Sequence, residues 1–238
     1  MADNVSFGYR QVPPAEKKRL VREHFDPIAR TYDLADRFLS VGLDALWRGE
    51  AIRLLGLKRG DLVLDACGGT GALAKLAARR VRPGGLAVVY DFNRPMMEAG
   101  RETLVGDETR GAIAFVQGDG EEMSFPDATF DAVTMGFGLR NLAHPGKGLD
   151  ECLRVLAPGG RLMILEFSVP RNRLLGRIIC GTGAPFRYLA ESVRVFPKPE
   201  NVAAMIRGAG FSDVRFERLL DGLAVIYLGV KPGSSSIG

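Results

Sequence analysis

The sequence predicts an α/β protein built on a doubly wound, mostly parallel sheet. Three observations predict it. Between residues 61 and 167, short apolar runs alternate with stretches of helical period, which is the rhythm of βαβ units. The runs are apolar at nearly every position, as in strands covered on both faces. The first of them ends in an acid followed by glycines, the join between a strand and a ligand-facing helix N-terminus.

The elements follow in order. Met1 to Pro14 is polar and contains prolines, with no apolar stretch of the kind a secretory signal carries. Residues 15–29 read as a helix, with Leu20, Val21, His24, Phe25 and Ile28 near helical spacing. Its basic residues Lys17, Lys18, Arg19 and Arg22 read first as a solvated face. Contact with an acidic membrane surface is the sharper alternative. A second helix spans 43–55. Strand 61–66 leads into Cys67-Gly68-Gly69-Thr70-Gly71 and helix 72–80, and Pro83-Gly84-Gly85 makes a turn. Strand 86–90 is closed by Asp91, helix 95–104 follows, and strands 113–117 and 130–135 come next. Helix 145–156 is stopped by Pro158-Gly159-Gly160, and a strand runs over 161–167.

After Val169 the alternation breaks, and residues 170–196 read as an insertion over the carboxyl edge of the sheet. Helix 199–209 and strands 214–219 and 224–230 close the fold, the last two as an antiparallel edge hairpin. The organisation expected is a helical cap over 1–55, a core over 56–231 carrying a lid at about 170–196, and a disordered tail over 232–238.

Composition narrows the function. The chain has 238 residues, 46% hydrophobic and 25% charged, with a net charge of +4. That balance belongs to an ordinary globular protein, and the basic excess is too small to argue nucleic-acid binding. No apolar run approaches the length of a bilayer span. Cys67, Cys152 and Cys180 form no CxxC pair, which speaks against a metal knuckle or a disulfide framework. Free thiols suit a reducing cytoplasm, with the inner membrane face as a place of peripheral contact.

The strongest local signal is Asp65-Ala66-Cys67-Gly68-Gly69-Thr70-Gly71. Glycine lets the backbone approach a ligand closely, but dinucleotide-binding enzymes use a similar loop. Asp91, 22 residues after Gly69, ends the next strand, where an acid binds ribose hydroxyls. The loop lacks the third glycine of G-x-G-x-x-G. Asp65 would repel a pyrophosphate, yet it suits the amino group of a sulfonium amino-acid ligand. After the third strand, Asp119 and Gly120 stand where an acid accepts from an adenine amine. Taken singly, Asp119 reads equally as a turn residue and Asp91 as a helix cap. Three acids at the carboxyl ends of successive strands are harder to dismiss.

At this point the chain resembles the UbiE/COQ5 family of quinone-ring C-methyltransferases over roughly residues 20–230. The glycine loop and Asp91-Phe92-Asn93-Arg94-Pro95-Met96-Met97 are similar to the family's, as they are to class I S-adenosylmethionine-dependent methyltransferases in general. Three stretches are more specific: Phe25-Asp26-Pro27-Ile28-Ala29 with Tyr32-Asp33, Ser40-Val41-Gly42 and Trp47; Phe137-Gly138-Leu139-Arg140-Asn141; and Phe186-Arg187-Tyr188-Leu189-Ala190-Glu191-Ser192-Val193. Leu156 to Gly160 and Glu166-Phe167-Ser168 add to them. Asp44 and Ala45 stand where the family carries a His-Arg pair, and the stretch between Ser168 and Arg187 is shorter than is usual.

The resemblance implies a class I methyltransferase fold, S-adenosylmethionine as cofactor and S-adenosylhomocysteine as product. It implies a prenylated quinol as partner, demethylmenaquinol first, and a homodimer by analogy. Cofactor binding is expected from Asp65, Gly68, Gly69, Thr70, Gly71, Asp91, Phe92, Asp119 and Gly120, with Tyr32 closing over the methionine end. A ring carbon attacks a sulfonium methyl only from the reduced, phenolate-like quinol. Arg140 is the lead candidate to stabilise that phenolate, with Asn141 orienting the ring oxygen and Arg187 and Tyr188 approaching from the lid. Phe38, Leu39, Val41, Leu174, Leu175, Ile178 and Ile179 would line a groove for the prenyl tail, or serve as ordinary core. A methyltransferase for another phenol, amine or lipid headgroup, and a non-catalytic S-adenosylmethionine-binding module, remain as alternatives.

Overall fold

The computed structural model describes residues 4–29, 43–171 and 187–233. Tyr32, Cys180 and the groove residues at 38–41 and 174–179 lie outside them.

Seven strands form the main sheet: β3 (Leu62–Ala66), β4 (Leu86–Asp91), β5 (Ile113–Gln117), β6 (Phe130–Gly136), β7 (Leu156–Phe167), β8 (Ser212–Leu219) and β9 (Ala224–Val230). Their order is β5-β4-β3-β6-β7-β9-β8. The first five are parallel, and β9 runs antiparallel between β7 and β8, as the predicted edge hairpin requires. The chain leaves β3 toward β4 on one side and enters β6 on the other. The carboxyl ends of β3 and β6 therefore flank the switch point, where open α/β sheets hold ligands.

Alternation along the strands splits the core in two. Val63, Ala87, Val89 and Met163 face one side, with α2 (Leu43–Leu55) and α3 (Ala72–Val81) packed on them through Trp47, Ala51, Ile52, Ala74 and Ala77. Leu64, Val88, Val133 and Ile164 face the other, against α5 (Pro145–Val155) and α7 (Pro199–Gly208) through Leu149, Cys152, Val202 and Ile206. α4 (Arg94–Thr103) follows β4, and α6 (Arg187–Val195) precedes α7.

Four expectations are corrected. The helix read over 15–29 is α1 (Pro14–Phe25) and then a 3₁₀ turn over Asp26–Ile28, because Pro27 has no N–H to continue the α ladder. The polar N-terminus is a hairpin, β1 (Val5–Phe7) paired with β2 (Arg10–Val12). Gly8, at φ +57, supplies its turn. Pro158-Gly159-Gly160 does not precede the seventh strand. It bulges within it, since Phe130 pairs with Leu156 and Ala132 with Arg161, while Gly159 and Gly160 exchange backbone bonds with Lys231. Finally, the basic face of α1 is not simply solvated. Lys17 is buried, and Lys18 is ion-paired to Asp119 and Glu121. Among the described residues, no helix is long and apolar enough to cross a membrane.

Candidate active site

The cleft at the switch point is built from two loops with the same local device. β3 is followed by Cys67 at φ 54, and β6 by Phe137 at φ 57. Left-handed backbone in a non-glycine residue is strained and persists only where its surroundings hold it. Each is flanked by glycine. A Cβ on Gly138 would lie 2.6 Å from Cys67 Cβ, and one on Gly68 would lie 2.7 Å from the Asp65 carbonyl. The two loops thus touch, and small residues are required at the contact.

The acids beside this contact are buried and held. Asp65 accepts from Thr134 Oγ1 at 2.8 Å and from the Ala74 amide at 3.0 Å. Burial pushes its carboxyl up to about 7 against those bonds. Asp91 accepts from the Gly69 amide at 2.9 Å and the Asn93 amide at 2.7 Å, and burial raises it to about 6. Carboxylate oxygens carry further lone pairs, so both acids retain acceptor capacity toward the cleft, which they line with Cys67, Gly68, Gly69, Thr70 and Phe92. Asn93, not Asp91, caps α4, accepting from the Met96 amide. Its amide donates to Asp26 at 2.8 Å, joining the family-like Phe25-Asp26-Pro27 stretch to the β4 loop.

The structure does not bring Asp119, Gly120 or Gly71 to that lining. Asp119 accepts from Lys18 Nζ at 2.6 Å and from the Glu121 amide. Gly120 sits behind Cys67. Gly71, at φ 80, heads α3 where a Cβ would press on Val89.

The opposite wall is the turn Leu139–Asn141. Asn141 lines the cleft with Phe137, Gly138 and Leu142. Its amide nitrogen donates to the Phe137 carbonyl at 3.2 Å, and its Oδ1 accepts from Tyr188 Oη at 2.9 Å. Arg140 is buried behind the turn rather than in a surface salt bridge. Its Nη1 donates to Glu166 Oε1 at 2.6 Å and to the Phe137 carbonyl at 2.5 Å, and its guanidinium lies over the Phe167 ring. The charge of Arg140 reaches Tyr188, His24 and Lys17. Tyr188 stacks on Phe7 at 4.3 Å and meets His24 at 4.9 Å, and burial raises its phenol to about 12. Arg187 points away from this cluster, exposed and paired with Glu191 of its own helix.

The sequence reading passed over Arg48, Phe137, Glu166 and Phe7 as site groups. Arg48 lines the cleft, is ion-paired to Asp44 at 3.0 Å and lies over Phe137. Glu166 had a signal, a lone acid in the otherwise apolar run Leu162 to Phe167. Phe7 had none, because its contact is 181 positions away in the chain.

Solved structures share this architecture. A SAM-dependent methyltransferase from Aquifex aeolicus matches at a TM-score of 0.63 and 20% identity, covering 77% of this chain and 89% of that one. A phosphoethanolamine N-methyltransferase from Haemonchus contortus, in complex with phosphomonomethylethanolamine and S-adenosylhomocysteine, matches at 0.67 and 18%, covering 89% of this chain and 60% of that one. The fold is that of the S-adenosylmethionine-dependent methyltransferases. Sequence comparison goes further. The model of the ubiE/COQ5 methyltransferase family matches residues 11–177 and 172–231. The ubiquinone/menaquinone biosynthesis C-methyltransferase UbiE of Pseudomonas putida strain W619 is 42% identical over 241 aligned positions, 95% of this chain and 94% of that protein. Its counterpart in Pseudomonas aeruginosa strain LESB58 is 39% identical over the same shares. The chain belongs to the UbiE/COQ5 methyltransferase family, and it is a methyltransferase.

Proposed function

We propose that the protein transfers a methyl group from S-adenosylmethionine to a ring carbon of a prenylated quinol, demethylmenaquinol to menaquinol. The observation that carries the reading is the pairing of two walls. Buried acids at the ends of β3 and β4 face the turn that presents Asn141, with the Arg140 charge behind it and Tyr188 bonded to it. UbiE relatives named for ubiquinone and menaquinone biosynthesis support the acceptor class.

The donor set fits the cofactor. Asp65 suits the amino group of the methionine end, and Asp91 the ribose hydroxyls. The Gly68–Thr70 backbone and Phe92 complete that wall. When bound, the cofactor supplies an electrophilic methyl group on sulfonium. Asn141 holds the ring oxygen beside the reacting carbon, and Tyr188 fixes the amide orientation of Asn141. The Arg140 charge, felt at Tyr188 ahead of the opposing charge of its partner Glu166, lowers the energy of the phenolate that makes the ring carbon nucleophilic. Arg140 is too basic to accept the phenolic proton, which passes to a water molecule in the cleft. The reading also carries peripheral contact with a membrane, where a prenylated acceptor resides, and a homodimer on the family analogy.

The test is methyl transfer from labelled S-adenosylmethionine to chemically reduced demethylmenaquinol, wild type beside Asn141→Ala. Labelled menaquinol from the wild type and a large loss in the variant support the acceptor and the site. Cofactor binding with no transfer to any prenylated quinol overturns the acceptor.

A further inference from the structure

Two consecutive lysines of α1 reach two loops: Lys17 the turn after β6 and Lys18 the 119–121 segment after β5. Lys17 Nζ donates to the Leu142 carbonyl at 2.7 Å and to the Arg140 carbonyl at 3.2 Å. Lys18 Nζ sits 2.6 Å from Asp119 and 3.3 Å from Glu121. Glu121 in turn accepts from the Ala143 amide at 2.6 Å and the His144 amide at 3.2 Å. A short 3₁₀ turn has no following helix to bond its last carbonyls, and here Lys17 supplies their donors.

Lys17 is 5% exposed and, among the described residues, makes no ion pair within 4.0 Å. Burial lowers its ammonium to about 8, with Glu121 opposing and Arg140 adding to the fall. A buried ammonium is costly to keep, and an apolar side chain of similar length would fill the same space. A merely space-filling role therefore predicts that Met is tolerated.

We infer that Lys17 is a positioning residue for the acceptor site: its two bonds hold the 139–142 turn in the geometry that presents Asn141 to the cleft. The inference about the reaction rests on the proposed function, while the inference about the turn does not. Without Lys17, the carbonyls of Arg140 and Leu142 lose the donor it supplies, so the turn opens more often and its amide bonds to Glu166, Gly138 and Leu139 open with it.

The experiment compares the full-length wild type with Lys17→Met and Lys17→Arg. Hydrogen exchange of the free protein over residues 137–144 should rise at least tenfold in Lys17→Met and return most of the way in Lys17→Arg. Exchange in β4 and α3 and the dissociation constant for S-adenosylhomocysteine should stay within about twofold. With demethylmenaquinol, kcat should fall at least tenfold in Lys17→Met with KM for S-adenosylmethionine unchanged, and recover in part in Lys17→Arg. Unchanged exchange at 137–144 overturns the inference. So does a uniform rise across the protein with loss of cofactor affinity, which marks a general packing role. If wild type does not methylate this acceptor, the proposed function fails, and the exchange data alone still decide whether Lys17 holds the turn.

Discussion

The Tyr188 hydroxyl donates to Asn141 Oδ1 at 2.9 Å, tying the first residues of α6 to the turn after β6. Tyr188 is itself stacked on Phe7 of the N-terminal hairpin. One wall of the cleft is thus assembled from three distant parts of the chain, and each joint can be tested alone.

Tyr188→Phe removes only the hydrogen bond and keeps the stack on Phe7. With one bond of about 1 kcal/mol lost, turnover should fall roughly fivefold, and S-adenosylhomocysteine affinity should hold. Isothermal titration beside steady-state kinetics checks it. A matching loss of cofactor affinity would place Tyr188 in the general packing instead.

Phe7→Ala tests the hairpin. Besides the stack, the Tyr9 amide donates to Glu191, and Arg194 Nη1 donates to the Tyr9 hydroxyl. Truncating Phe7 should speed hydrogen exchange over residues 187–195 and raise KM for the acceptor more than KM for the cofactor. Equal exchange in both proteins would mean that the hairpin is an ornament on α6.

The Arg140–Glu166 pair is buried on both sides. Removing one partner strands a charge, so Arg140→Ala should cost roughly 3–5 kcal/mol in urea unfolding. The double variant Arg140→Met with Glu166→Leu should recover much of that stability and none of the activity. A stable single variant would show that water reaches the pair.

Asp65, in the proposed contact with the cofactor's amino group, predicts a pH dependence. Its carboxyl is pushed up to about 7 by burial, against the bonds from Thr134 and Ala74, and the carboxylate holds an ammonium group far more strongly than the neutral acid does. Below that value, binding must expel a proton. Affinity for S-adenosylhomocysteine should therefore fall roughly tenfold per pH unit from 7 toward 6 and level off above 7. Asp65→Asn should bind weakly, with that slope gone. Calorimetry across pH 6 to 7.5 reads both. The same slope in the variant would assign the proton elsewhere.

Much of this molecule was legible along the chain. The βαβ rhythm, the edge hairpin and the acids ending β3 and β4 are local features, because strand period, glycine conformation and burial on both faces act over a few residues. Arg140, Asn141 and Tyr188 were singled out by a different route, resemblance to a family, which names positions without placing them. What tertiary structure decided is which groups meet. It put Arg140 behind the turn on Glu166, turned Arg187 to solvent, and gave Asp119 to Lys18. It buried Lys17 from a helix face that composition read as solvated. Charge and period in a sequence state what a residue prefers in water. Its partner, and so its role, is set by folding, when long-range contacts replace that water.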